Sequence, residues 1–251
     1  MRPPEYLLKS WHKFDQYPME TLTKVWFYHQ AKGNKQRELG LIKEHHAAYG
    51  ISGNCFDLVI MLLDQFKQDG VEAYPIGNDL FTENAHVAVL ALDEHGNRYL
   101  CDLGDQWIIP VLIEGNHESY SNKIHSGFFP AAKIRVEPGK EDVVIHYHRP
   151  NGKISRQRFN LLPLQWDEFM RAAEFSQNLL KPHPLLECRV SSNEGISHWE
   201  FYNWESYLST DEGLTREEPC QSTDQWVGRI YQMTGYDQDF LYEALNWYKS
   251  H

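Results

Sequence analysis

Along residues 1–70 the apolar positions recur at helical spacing. Tyr6, Leu7, Trp11 and Phe14 share one helical face; Met19, Leu22, Val25, Trp26 and His29 share a second; Leu39, Leu41, Ile42 and His45 open a third. The clearest pattern follows Cys55, where Phe56, Val59, Ile60, Leu62, Leu63 and Phe66 form an apolar stripe that Gly70 stops. Ser52 and Asn54 just ahead of it are both good N-cap residues. From Val71 the pattern changes to strands. Residues 71–76 are short and extended, and residues 85–92 are a near-continuous apolar run, as in a strand buried on both faces. Asp93-Glu94-His95-Gly96-Asn97 has turn chemistry, and residues 98–102 return as the partner strand. Strands are also predicted at 107–113, 132–136, 143–149 and 155–160; short strands spaced by turns suggest a small barrel or a tightly curved sheet. Beyond Pro163 the pattern is mixed: a helix over 163–179, strands over 185–191 and 196–208 joined by Asn193-Glu194-Gly195, and helices over 224–234 and 237–249 separated by Gly235. The chain therefore reads as an α+β protein in three stretches, helical over 1–70, β over 71–160 and mixed α/β over 161–251.

Charge and cysteine usage narrow the function classes. With 24 Lys and Arg against 35 Asp and Glu, the net charge is −11, and no dense basic block interrupts it. Such a chain is a poor partner for nucleic acid or an anionic membrane surface. The four cysteines, Cys55, Cys101, Cys188 and Cys220, are far apart and have no zinc-like spacing, so no metal is expected and free thiols in a reducing cytoplasm are. The start lacks the apolar core of a signal peptide, and the longest apolar runs are too short to span a bilayer. His45-His46 lacks a partner one turn on, and His146 and His148 share a strand face without a third ligand; both pairs read as structural.

The candidate chemistry sits at Cys55. A thiol on the first turn of a helix lies among unpaired backbone N–H groups at the positive end of the helix dipole, a field that favours the thiolate. A nucleophilic cysteine also needs a base, and the base an orienter. His86 opens one strand and Asp102 closes the next. If the loop is residues 93–97, Leu92 pairs with Arg98, and His86 and Asp102 point to the same face as diagonal neighbours; a four-residue loop would put them on opposite faces unless a bulge intervened. The carboxylate would orient His86, His86 would hold Cys55 as thiolate, and helix-start N–H groups including that of Phe56 would receive an oxyanion.

The stretches Ile51-Ser52-Gly53-Asn54-Cys55-Phe56-Asp57, Ala85-His86-Val87-Ala88-Val89 and Tyr99-Leu100-Cys101-Asp102-Leu103-Gly104 resemble the arylamine N-acetyltransferase family. There the cysteine follows an Arg-Gly-Gly-x turn and precedes Phe-Glu, the histidine starts a strand, and Asp-Val-Gly-Phe-Gly supplies the aspartate. Phe175-Ser176-Gln177-Asn178 followed by Pro182-His183-Pro184 is similar to a further family segment. The resemblance implies a helical bundle, an antiparallel β-barrel and an α/β lid around a cysteine-proteinase-like core. It also implies ping-pong transfer, in which acetyl-CoA, as co-substrate, acylates Cys55, and an arylamine, arylhydroxylamine or hydrazine takes the acetyl group with His86 as base and Asp102 as orienter. The chain departs from the family in four places: Ile51 stands for the arginine, Ser52 for the first glycine, the family's Pro-Phe-Glu-Asn stretch upstream of the cysteine is not apparent, and Asp105 stands for an aromatic of the amine pocket, for which Trp107 is the substitute candidate. The same Cys, His, Asp order also fits transglutaminase-like amide hydrolases or crosslinkers, amide synthases fed by carrier-bound thioesters, and a non-catalytic binding module with a relic triad.

Overall fold

The computed structural model describes residues 1–192 and 195–251. The N-terminal stretch folds as α1 (Glu5–Trp11), a 3-10 turn (His12–Phe14), β1 (Met19–Glu20), α2 (Leu22–Tyr28), α3 (Leu39–Tyr49) and α4 (Cys55–Gln68). Met19 and Glu20 belong to a strand instead of the expected helical face, because they pair with Glu187 and Leu186 far along the chain. The Glu20 carboxylate, fully buried, then accepts the Thr23 N–H at 2.7 Å and anchors the first turn of α2. Helix α4 has a complete capping box: Asn54 accepts from the N–H groups of Phe56 and Asp57, and Asp57 accepts from that of Asn54.

The central strands are β2 (Ala73–Asn78), β3 (His86–Leu92), β4 (Arg98–Cys101) and β5 (Val111–Leu112), antiparallel in that order, followed by β6 (His125–Phe129), β7 (Ala132–Pro138), β8 (Asp142–His148) and β9 (Ile154–Asn160), also in order. The expected barrel is thus two four-stranded sheets and not one closed ladder. They meet at Asn78, whose side chain donates to the Arg158 carbonyl at 2.6 Å and accepts the Asn160 N–H at 3.0 Å. The strand expected over 107–113 shrinks to β5. Gln106, just ahead, takes a positive φ of 58°, and its side chain donates to the Leu103 and Tyr17 carbonyls, so the chain is still turning there.

The last stretch contributes α5 (Trp166–Asn178), β10 (Leu185–Ser192), β11 (Gly195–Tyr202), β12 (Glu205–Thr210), β13 (Gly213–Arg216), α6 (Thr223–Thr234) and α7 (Gln238–Ser250). Its sheet runs β1-β10-β11-β12-β13, all antiparallel. The single strand expected over 196–208 is a hairpin. Asn203 and Trp204 both sit at positive φ (49° and 64°), the conformation of a two-residue type I′ turn. Of the turn expected at 193–195, Asn193 and Glu194 lie outside the described residues. No described helix is long and apolar enough to cross a membrane.

Two apolar cores result. One packs α4 (Leu58, Val59, Leu62, Phe66) against β3 and the central sheets. The other packs Leu186, Trp199 and Phe201 of the five-stranded sheet against Trp226, Ile230 and Phe240 of α6 and α7. Ile51 belongs to the second and Phe56 to the first, so the turn ahead of Cys55 straddles the seam. Buried Tyr236, between α6 and α7, reaches that turn: its hydroxyl lies 2.6 Å from Ser52 Oγ and accepts the Ser52 N–H at 3.3 Å, while Ser52 Oγ donates to the Pro18 carbonyl. Tyr236→Phe should therefore lower unfolding free energy by about 1–3 kcal/mol, measured by urea denaturation, because it leaves Ser52 groups buried without their partner.

Candidate active site

The cysteine turn is built around Gly53. Its φ of +114° suits glycine, and a Cβ there would lie 2.2 Å from Asp57 Oδ2 and 2.5 Å from Arg37 Nη2. Those two groups form an ion pair at 3.1 Å with side chains only 1% and 2% exposed. Arg37 Nη2 also donates to the Ser52 carbonyl at 2.8 Å, and Asp57 accepts from Gln36 Nε2 at 2.8 Å and Gln177 Nε2 at 3.3 Å. A buried pair survives only when its remaining donors and acceptors are met in this way. Although Ile51 stands where the resemblance expects an arginine, the turn still has a guanidinium against it. Arg37, from the loop ahead of α3, delivers a guanidinium to the turn from a different place in the chain.

The second half of the site comes from the β3–β4 hairpin. Leu92 pairs with Arg98 and Val89 with Cys101, so the loop is the five residues 93–97. That register brings His86 Nε2 to 2.7 Å from Asp102 Oδ2, while Asp102 Oδ1 accepts the Asp105 N–H at 3.0 Å. Asp102 is fully buried; Cys55 is half-buried. Gly104 lies at the meeting point: a Cβ there would stand 2.9 Å from Cys55 Cβ, 3.0 Å from His86 Cε1 and 3.2 Å from Asp102 Oδ1. The thiol, imidazole and carboxylate, distant in the sequence, thus converge on one glycine that leaves them room. With Nε2 on the carboxylate, the other ring nitrogen remains for the sulfur.

Two predicted contacts need correction. The Phe56 N–H cannot serve an oxyanion, because it donates to Asn54 Oδ1 at 3.0 Å as part of the helix cap. The cap takes the Phe56 and Asp57 N–H groups and leaves that of Cys55 itself as the helix-start donor beside the sulfur. Trp107 does not line the cleft. It is fully buried behind it, edge-on to Phe129 and Tyr147, which do. Of the two histidine pairs, His46 Nδ1 lies 3.2 Å from the Ile51 carbonyl and His146 Nε2 lies 2.7 Å from Glu137 Oε2, both contacts within the protein. Among the described residues, His86, Asp102 and Asp105 form one group whose donor atoms lie within 4.8 Å of one another, close enough for a cation. The 2.7 Å contact between Nε2 and Oδ2 is itself a normal hydrogen bond.

A cavity of about 510 Å³ reaches Asp105, whose Oδ1 lies 3.9 Å from His86 Nε2, and is lined further by Phe129, Tyr147, Glu187, His198 and Glu200, with half-buried Arg149 and exposed Lys153 and Arg156. Its electrostatics are unusual. Burial alone would lower the His86 pKa, but the Asp102 and Asp105 carboxylates and hydrogen bonds with Asp102 and Cys55 hold it well above its ordinary value. Burial and then the Asp102 charge raise Asp105 to about 6, and burial and then the Asp105 charge raise Glu187 to about 8. His198 is lowered to about 4 by burial and Arg149. Glu187, Glu200 and His198 could be found only once the register of β10 and β11 was known.

A helix-borne thiol, a hairpin-borne histidine and aspartate, and a five-stranded sheet closing over them define the fold of the arylamine N-acetyltransferases. Solved structures bear this out. The chain superposes on the Mycobacterium smegmatis arylamine N-acetyltransferase with TM-score 0.71 at 12% identity, covering 97% of this chain and 92% of that one. For the Mycobacterium marinum enzyme in complex with CoA the values are 0.71 and 9%, over 95% and 91%. For the Salmonella typhimurium enzyme they are 0.69 and 12%, over 92% and 86%. No protein-family model and no curated protein matches the sequence. At such identities the likeness establishes the fold.

Two predictions follow from the geometry. Gly104→Ala should leave the protein folded but push the thiol and imidazole apart, slowing iodoacetamide alkylation of Cys55 by on the order of a hundredfold. Glu187, with its folded pKa raised, keeps a proton that the unfolded chain gives up, so stability falls as pH rises from about 4.5 to about 8. Thermal unfolding of Glu187→Gln should show a flatter pH dependence across that window and a higher midpoint than wild type at its upper end.

Proposed function

We propose that the protein is an acyltransferase that carries an acetyl group from acetyl-CoA, through a thioester on Cys55, to a nitrogen acceptor of the arylamine, arylhydroxylamine or hydrazine type. The observation that carries this reading is the convergence of Cys55, His86 and Asp102 on Gly104. The fold supports it, and so does the CoA bound by the solved M. marinum neighbour. In this reading residues 1–70 bring the nucleophile, residues 71–160 the histidine and aspartate, and residues 161–251 the polar sheet that closes the cleft.

Each step uses a group already in position. His86, kept protonated by its two carboxylate neighbours, pairs with the Cys55 thiolate. The thiolate attacks the thioester carbonyl, and the Cys55 N–H at the helix start faces the developing oxyanion. Collapse breaks the C–S bond to CoA, whose sulfur takes the proton from His86. The acceptor nitrogen then attacks the Cys55 thioester, His86 removes its proton, and Cys55 leaves as thiolate. Asp102 holds one ring orientation through both halves. Arg149, Lys153 and Arg156 lining the cleft match the phosphates of a CoA thioester in charge.

Incubation with acetyl-CoA should add one acetyl group to the intact protein, as read by mass spectrometry, with release of free CoA. Cys55→Ala should abolish the modification, and His86→Ala should slow it by on the order of a thousandfold. A protein that stays unmodified, or a Cys55→Ala variant acylated as fast as wild type, overturns the assignment.

A further inference from the structure

The cleft wall opposite the aromatic pair has a feature that acyl transfer to a neutral arylamine does not need. Glu187 and Glu200 are direct cross-strand partners in β10 and β11, so their carboxylates leave the sheet on the same face. His198, two residues from Glu200, shares that face, and its Nε2 lies 3.8 Å from Glu187 Oε1. Two ionised carboxylates placed opposite one another would destabilise the sheet; burial first, then the Asp105 and Glu200 charges, keep the proton on Glu187 up to about pH 8, and a bound cation would draw that proton off. No lysine or arginine nitrogen lies within 4.0 Å of either carboxylate among the described residues, and Arg149 acts on Glu200 from further off. The one close base, His198, is kept neutral by its burial and by Arg149. The other face of the same strands buries Leu186, Trp199 and Phe201 against α6 and α7, so the acidic pair belongs to a sheet packed on its opposite side.

The third acid is Asp105, on the triad side of the cavity, with its Oδ1 3.9 Å from His86 Nε2. It is 28% exposed and stands where the resemblance expects an aromatic. Three acids around a cavity that also presents Phe129 against Tyr147, centroids 4.7 Å apart, make a poor site for an uncharged ring and a good one for an alkyl chain ending in a cation. Lys153 and Arg156 are exposed, where water screens them; half-buried Arg149 is the one cation felt inside, on the Glu200 and His198 side, and it stays beyond 4.0 Å of both carboxylates.

We propose that the acyl acceptor is an aliphatic diamine or polyamine: one amino group, uncharged, reaches Cys55 while a second, as ammonium, is held between Glu187 and Glu200. The inference rests on the reading that this cleft receives an acyl acceptor. In the transfer the neutral nitrogen attacks the thioester carbonyl, the C–N bond forms, the C–S bond breaks, and the proton lost by nitrogen stays on His86 beside the Cys55 thiolate. The second nitrogen keeps its proton throughout.

Binding to the unacylated protein tests the site separately from the chemistry. Calorimetric titration with putrescine and with n-butylamine should show putrescine binding at least about tenfold more tightly. Glu187→Gln, and independently Glu200→Gln, should lose most of that preference, and putrescine should protect Cys55 from iodoacetamide in the wild type only. Equal affinity of the wild type for the two amines, or an undiminished preference in both folded variants, overturns the proposal. Putrescine selectivity in a protein that acetyl-CoA fails to acylate would sink the transferase reading and leave the cation site standing. Acylation without putrescine selectivity would do the reverse.

Discussion

The buried pair of Arg37 and Asp57 is the constraint on which the rest of the site depends. Its carboxylate serves three masters at once: it closes the cap of α4 through the Asn54 N–H, neutralises Arg37, and accepts from Gln36 and Gln177. Its guanidinium in turn fixes the Ser52 carbonyl, one residue ahead of Gly53. Removing two charges from water costs several kcal/mol each before relaxation, so such a pair persists only in a network that leaves few groups unmet. Here the network draws on the loop before α3, on α4 and on α5, and it thereby sets where the first turn of α4 begins. The position of the Cys55 sulfur is a consequence of that cap.

The site lies where two cores abut. The central sheets and α4 bury one set of apolar side chains, and the five-stranded sheet with α6 and α7 buries another. Between them the polar face of the five-stranded sheet turns toward the triad. Because its opposite face already contributes to the second core, that polar face is free to carry Glu187, Arg189, His198 and Glu200. Arg189 shows how tightly the seam is tied: it donates to the Trp107 carbonyl at 2.8 Å and to the Phe14 carbonyl, joining three distant segments.

What the sequence disclosed was what local chemistry decides. The apolar stripe after Cys55 and its cap residues gave α4, since periodicity and capping are local. The turn residues between Leu92 and Arg98 gave the hairpin, and its five-residue length fixed which face His86 and Asp102 share. What stayed hidden was decided by distant partners. The pairing of Met19 and Glu20 with β10 overrode a helical pattern, and no residue near Pro18 announces it. Asn203-Trp204 makes a type I′ turn without the glycine that marks one, so two strands read as one. Curvature alone could not say whether eight strands close into a barrel; two separate ladders bridged by one asparagine satisfy the same pattern. Trp107 looked like a ligand contact because it is large and near the aspartate, yet its size is what fills the core behind Phe129 and Tyr147.

The exchange of an aromatic for Asp105 then has a consequence beyond its own position. An aromatic there would insulate His86 from the cleft; a carboxylate 3.9 Å from Nε2 instead adds a second negative charge to the one from Asp102. In the proposed reaction the imidazolium is held more firmly, which would favour the ion pair with Cys55 but make His86 a more reluctant donor to the departing CoA sulfur and a more willing acceptor from an incoming nitrogen. Alkyl amines are more basic than arylamines, and the uncharged amine that attacks must still pass a proton to an acceptor as the C–N bond forms. On the proposed reading, Asp105 would therefore suit both cationic ligands in the cleft and proton transfer in the acceptor half-reaction, two effects that favour one class of nitrogen.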